Sequence, residues 1–242
     1  NLFLKAQAAV EEGQPEQAAP LLKEALAKDP GNPAAKSLLA ALRGEPSQAS
    51  GSAANTFAAQ WNLGNALYVH GKLDEAAGAF RAALAIKPQS AETHYALGNV
   101  LAAKGDFAAA ETELRAAVAA DPRMADGWNK LGIVLQKAGR RPEALTAYSR
   151  ALEVSPDDAD ALFNRAKLEL LEKNLPEARR DVDHLLAKHK DYAPAGFLDA
   201  HICVAEGNTA GAKDALTKFL ALPQADPQMK AVATDMLQKL GG

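Results

Sequence analysis

Apolar residues recur along the chain at helical spacing, in runs of about 14 residues that come in pairs separated by short polar, Gly or Pro breaks. The stretch Trp61 to Phe80, WNLGNALYVHGKLDEAAGAF, shows one pair and raises a question. Gly inside a helix costs roughly 1 kcal/mol relative to Ala, so Gly64 is a burden unless something packs on its bare backbone.

Copies of the stretch answer it. Leu63-Gly64 recurs as Leu97-Gly98 and Leu131-Gly132 in steps of 34 residues, and Ala166 and Ala200 continue the frame. A second column holds Ala76, Ala110, Ala144, Ala178 and Ala212, and a third holds Phe80, Leu114, Tyr148, Val182 and Leu216. Pro88, Pro122 and Pro156 close three units, and Gly71, Gly105, Gly139 and Gly207 mark the turn within a unit. Each unit therefore reads as two helices joined by a tight turn.

Trp128, Leu131, Gly132, Leu135, Ala144, Tyr148 and Pro156 follow the pattern W-x2-L-G-x2-Y, A-x3-F and a closing P. On these residues the chain resembles the tetratricopeptide repeat (TPR) family. The resemblance implies an all-α, right-handed α-solenoid of helix-turn-helix repeats. Five units are expected, 57–90, 91–124, 125–158, 159–192 and 193–226, followed by a capping helix within 227–242 that shields the last hairpin from water. The last two units drift, with Lys190 and Gln224 in the proline column and Leu185 and Phe219 in an alanine column, so their packing should differ.

Ahead of the array, Gly13, Ala18, Leu22, Ala25 and Pro30 repeat the second-helix signature, but ten residues are missing from the frame before Gly71. Residues 1–43 are expected to form one hairpin plus a single helix from Pro33 to Arg43. Residues 44–56, a Ser/Gly/Ala/Pro stretch without apolar periodicity, read as a linker. Alternatively the linker folds back and lets helix 33–43 stack on the first full unit.

The composition agrees with small-contact helix packing: 242 residues, 48% hydrophobic and only 5% aromatic. A net charge of −3 gives no general electrostatic reason to bind nucleic acid or an anionic membrane surface. Cys203, the single cysteine, excludes an internal disulfide and a multi-cysteine metal site. No run of about 18 apolar residues opens or interrupts the chain, so no membrane insertion is expected. A soluble chain of the cytoplasm or periplasm is the expectation, with the compartment left open. The start at Asn1 rather than Met reads as an excised piece or a processed product.

No catalytic, cofactor or metal motif is present: no phosphate-cradling Gly-rich loop, HExxH or GxSxG, and no spaced Cys/His ligands. The chain is thus expected not to be an enzyme and to need no cofactor. The densest ionisable stretch, Asp181 to His189, reads as a solvated helix face, because His184 and His189 lie about 140° apart on a helix and diverge. Cys203 and His94 both occupy aromatic positions of the repeat and read as packed side chains.

The family resemblance implies that first helices line a concave face, which leaves recognition to their inward side chains. These are Trp61, Asn62, Asn65 and Tyr68; Tyr95 and Asn99; Asn129, Lys130, Ile133 and Gln136; Phe163, Asn164 and Lys167; Phe197 and His201. Asn65 and Asn99 share one position, and an amide that donates and accepts suits the backbone of an extended peptide. Trp61, Tyr95, Phe163 and Phe197 share another and offer apolar and stacking contacts. Both residue types also occur at these positions in the family's average repeat, so scaffold ancestry is the competing explanation. Glu92, Asp126 and Asp160 near first-helix N-termini are accounted for by the helix dipole. Chaperone-binding members of the family clamp a terminal carboxylate with Lys and Asn, then Asn, then Lys and Arg. Trp61, Asn65, Ala96, Asp126 and Lys130 stand in those places, and one match argues against a chaperone carboxylate clamp.

The expected function is a protein–protein interaction scaffold that binds an extended peptide or a partner helix in its concave groove. The alternative is an appendage of a larger enzyme, used for oligomerisation or substrate docking. The opening NLFLKAQAAVEEGQPEQAAPLLKEALAKDPGNP looks like repeat tails that follow hydrolase domains, including sulfatase-type ones. Homodimer formation through the C-terminal units and cap is a further expectation.

Overall fold

The computed structural model describes residues 2–11, 14–43 and 56–241. These form α1 (Leu2–Glu11), α2 (Pro15–Lys28), α3 (Pro33–Arg43), α4 (Phe57–Val69), α5 (Leu73–Ile86), α6 (Ala91–Ala103) and α7 (Phe107–Ala120). They continue as α8 (Ala125–Lys137), α9 (Arg141–Val154), α10 (Ala159–Leu171), α11 (Leu175–Lys188), α12 (Ala193–Ala205), α13 (Thr209–Ala221) and α14 (Pro227–Gly241). No strand occurs among the described residues. The chain divides into two compact units, Asn1–Pro122 and Arg123–Gly242.

Local chemistry sets the helix ends. Thr56, Ser90, Asp106, Asp158 and Asn208 each accept a hydrogen bond from the backbone N–H three residues on, satisfying an otherwise unpaired donor of the first turn. Each helix hairpin from α4 to α13 turns through a left-handed residue: Gly71, Gly105, Gly139 and Gly207 have φ between 70° and 82°. Lys173 holds the same place with φ 62°, a conformation that disfavours a side chain. In the first of these turns the N–H of Lys72 bonds Leu67 O at 2.9 Å, closing the helix end.

Within hairpins, the alanine column is fully buried, and so is the large residue four positions later. A Cβ on Gly64 would sit 2.6 Å from Phe80 Cε1, one on Gly98 2.7 Å from Leu114 Cγ, and one on Gly132 2.5 Å from Tyr148 Cε1. The glycines are therefore contact points where the second-helix side chain lies on bare backbone. Where Ala166 replaces glycine, the facing residue is the smaller Val182.

In the N-terminal unit, α1 pairs with α2, α4 with α5 and α6 with α7, and α5 packs on α6. Helix α3 lies against both α2 and α4, while α1 touches α4 directly. Ala66 of α4 joins Val10, Leu22, Leu38 and Leu39 in one apolar cluster, so the N-terminal hairpin, α3 and the first full hairpin share a core. The linker expected over 44–56 lies outside the described residues except for Thr56, as does the turn residue Gly13.

In the C-terminal unit, α8 pairs with α9, α10 with α11 and α12 with α13. Leu185 and Phe219, the large residues of the drifted hairpins, are both buried, and Phe219 packs at a tilt against Phe197, 5.5 Å between centroids. Helix α14 follows Asp226, whose carboxylate accepts from the N–H groups of Gln228 and Met229. It covers α13 with Ala233 buried and Met229, Met236, Leu237 and Leu240 partly so.

Candidate functional site

The first-helix row of the N-terminal unit borders two clefts that share one lining side chain. Trp61, half-buried on α4, lines both. The inner cleft, about 290 Å³, lies between α1, α3 and α4 and is lined by Gln7, Val10, Leu38, Trp61, Asn62, Asn65, Ala66, Tyr68 and Val69. The outer one, open and about 750 Å³, is lined by Phe57, Trp61, Glu92 and the α5–α6 connection Lys87 to Ser90, with the Lys87 ammonium 4.3 Å from the Phe57 ring centre.

The expected residues Trp61, Asn62, Asn65 and Tyr68 thus come together on one cleft. Among the described residues, none of their side chains, nor that of Gln7, holds a hydrogen bond. Asn99, one hairpin on, has its Oδ1 buried without a partner, an expensive state for an amide oxygen. Tyr95 is half-buried on the same helix as Asn99. Sequence reasoning missed Gln7, Val10 and Leu38, since the frame is broken ahead of Thr56 and the inward positions of α1 and α3 could not be counted.

The row of the C-terminal unit is built differently. Asn164 donates to Asn129 Oδ1 at 3.1 Å, and Gln136 Oε1 accepts from the hydroxyl of fully buried Tyr148 at 2.9 Å. Burial raises the Tyr148 phenol above its ordinary range. Phe163 lies 5.8 Å from the Tyr192 ring and packs into the hairpin core. Phe197 packs at a tilt against Phe219 and meets His201 edge-on at 4.7 Å; His201 keeps an exposed edge, and the partial desolvation of its ring lowers the imidazole pKa. Lys130 and Ile133 are half-buried, and Lys167 is exposed. Most polar and aromatic members of this row are thereby committed to neighbouring helices.

Polar side chains also enter the hairpin spines of this unit. Arg165, in the Leu63/Leu97/Leu131 column, makes a two-pronged pair with buried Asp181, both bonds 2.7 Å, and donates to Ser149. The Asp181 bonds raise the Arg165 pKa, with burial acting the other way. Asp181 therefore does not belong to a solvated face, because its helix turns it toward the arginine. Glu169, in a leucine position, is buried and accepts from Asn174 at 2.9 Å; desolvation raises its carboxyl above the ordinary value.

Arg179 gathers Glu206, Asp199 and the Cys203 sulfur, its Nη2 donating to the sulfur at 3.2 Å. Cys203 is buried, and that burial raises its thiol pKa. The polar residues at 165, 169 and 199 in leucine columns were the available signal for this network.

The reading of His184 and His189 as divergent changes. His184 and His189 converge on Asp157, His184 Nε2 lying 2.7 Å from its carboxylate and His189 Nε2 2.6 Å from its carbonyl. His189 has left the helix as its C-terminal cap, with φ −126°, so the helical angle between the two no longer applies. His94 is held between Glu113 Oε2 at 2.7 Å and Pro88 O at 2.9 Å. Among the described residues no group of three His, Cys, Asp or Glu is placed to hold a metal ion, and no helix is long and apolar enough to cross a membrane.

Family comparisons fit this architecture. Tetratricopeptide repeat models match residues 9–43, 95–135 and 129–193, and a TPR repeat model matches 64–105, together more than half of the chain. The chain belongs to the tetratricopeptide repeat family. A search of curated proteins finds no match. Among solved TPR structures, YrrB, described as a TPR protein with an unusual peptide-binding site, is 24% identical, covering 73% of this chain and 91% of its own, with TM-score 0.62. PilF of Pseudomonas aeruginosa is 16% identical, covering 97% and 96%, with TM-score 0.70. The type IV pilus biogenesis factor PilW is 21% identical, covering 96% of both, with TM-score 0.69. At these identities the likeness is one of fold. The TPR fold is generally that of a non-catalytic protein-interaction scaffold. Residues 9–43, which include most of the segment resembling hydrolase-linked tails, match TPR sequence.

Proposed function

We propose that this TPR chain is a non-catalytic scaffold that binds an extended peptide segment of a partner protein, and that the first-helix face of the N-terminal unit is where it does so. The observation that carries the reading is the unspent hydrogen-bonding capacity of Asn62, Asn65 and Trp61 beside an apolar cleft. These half-exposed amides are open to solvent, and a peptide backbone supplies both a donor and an acceptor for each in place of water. Peptide binding by YrrB, which shares the fold, is consistent with it.

Titrating a displayed peptide library against the wild-type chain and the Asn65→Ala/Asn99→Ala double variant tests it. The expected result is a loss of affinity of at least tenfold for the strongest peptides with the fold intact. Unchanged affinity for every peptide removes the site.

A further inference from the structure

The cleft between α1, α3 and α4 lies where the 34-residue frame is broken. In the regular hairpins the second helix of one packs on the first helix of the next, as α5 does on α6, α9 on α10 and α11 on α12. Ahead of α4 that place is taken by α3, and α1 reaches α4 directly. The helices meet around a small recess with an apolar floor, Val10, Leu38 and Ala66, all buried, and an amide rim.

We propose that this recess is a pocket for one uncharged apolar side chain, aromatic or branched aliphatic, carried by an extended partner segment whose peptide groups bond the amides of Gln7, Asn62 and Asn65. The proposal rests on the peptide-binding reading above and names the chemistry the partner must bring. Three observations select that occupant.

First, no charged side chain lines the recess among the described residues, so a carboxylate or ammonium entering it would lose its hydration without gaining a partner. Second, its volume of about 290 Å³ equals roughly ten waters at about 30 Å³ each, room for one large side chain and the backbone beside it. Third, the rim amides are unspent and donate and accept alike, which matches a peptide group better than a hydrocarbon or an ion. On the far side of Trp61 the lining changes character, with Lys87 and Glu92 present, so the neutral preference belongs to the inner recess alone. An anchor in a desolvated pocket beside an aromatic wall is the usual arrangement of a dominant contact.

The test uses the 242-residue chain labelled with nitrogen-15 and four capped tripeptides, Ac-Gly-Xaa-Gly-NH2 with Phe, Leu, Glu or Lys at the centre. The Phe and Leu peptides are expected to shift the Trp61 indole and the Gln7, Asn62 and Asn65 side-chain amide signals at concentrations at least tenfold below those needed for Glu and Lys. The isosteric double variant Gln7→Glu/Asn65→Asp changes charge at two positions that hold no hydrogen bond, so it should keep the fold and lose the preference at least tenfold. Equal responses to all four peptides, shifts that map elsewhere, or an unchanged preference in the folded variant overturn the proposal. If library peptides still bind in a manner sensitive to Asn65→Ala/Asn99→Ala, the pocket falls and the peptide-binding reading stands. If no library peptide binds, both fall.

Discussion

Hairpin 57–90 and hairpin 159–192 are the same two-helix device with polarity distributed in opposite ways. In the first, the spine is apolar, with Leu63, Leu67 and Ala79 around the Gly64–Phe80 contact, and the polar groups Asn62 and Asn65 sit unpartnered on the first-helix face. In the second, Arg165, Glu169 and Asp181 occupy the corresponding spine positions, while Phe163 and Asn164 on the face are tied to Tyr192 and Asn129. One hairpin keeps its interior dry and its surface available. Its counterpart holds an ion pair and a carboxylate–amide bond in the interior and consumes its surface in packing. On the proposed reading, recognition falls to the N-terminal unit.

The comparison can be broken most forcefully at Arg165. Arg165→Leu, which installs the residue found at 63, strands a buried carboxylate and should cost about 3–5 kcal/mol in denaturant unfolding of the C-terminal unit. Adding Asp181→Ala removes the stranded charge, leaving Glu169 as the one polar spine residue of the three, and should return stability to wild type or raise it by about 1–4 kcal/mol. A double variant as weak as the single would mean that the ion pair holds the hairpin in a way its apolar counterpart cannot.

The complementary change acts on the dry spine. Gly64→Ala pushes a Cβ onto the buried Phe80 ring and should cost about 1–3 kcal/mol, despite the better helix propensity of alanine. Pairing it with Phe80→Val, the Ala166–Val182 combination of the other hairpin, should recover part of the loss in thermal melts. At the turn, Lys173→Gly relieves a left-handed lysine and should stabilise by about 1 kcal/mol, whereas Gly71→Lys should do the reverse.

The smallest effect is one of pH. Burial holds the Glu169 carboxyl above its ordinary 4.5, so the fold favours the protonated acid. Its contribution is complete below 4.5 and falls as pH rises through the higher folded value. Glu169→Gln stays neutral and still accepts from Asn174. The melting temperature of the variant should therefore gain on wild type as pH rises from 4 to 8; a constant gap contradicts the account.

Much of this was legible in the chain. Six columns in steps of 34 fixed the hairpins, and the Gly64–Phe80 pairing is the physical content of a glycine that propensity alone would reject. The candidate face was readable on α4, where Trp61, Asn62, Asn65 and Tyr68 meet. Other features were not. Whether an amide is spent depends on a partner dozens of residues away, as with Asn129 and Asn164. The inner recess needs α1 and α3, whose frame is broken, and His189 escaped helical reasoning by being a cap. Arg165 stood out in a leucine column, yet its partner Asp181 could be identified only from the packing of α10 on α11.

The central claim, that the N-terminal first-helix face is the recognition surface, is tested most directly by hydrogen–deuterium exchange of the chain with and without its tightest library peptide. The account predicts added protection along Phe57–Val69 and Ala91–Ala103 and none along Ala159–Leu171. Protection concentrated on Ala159–Leu171, with the N-terminal helices unchanged, would contradict it.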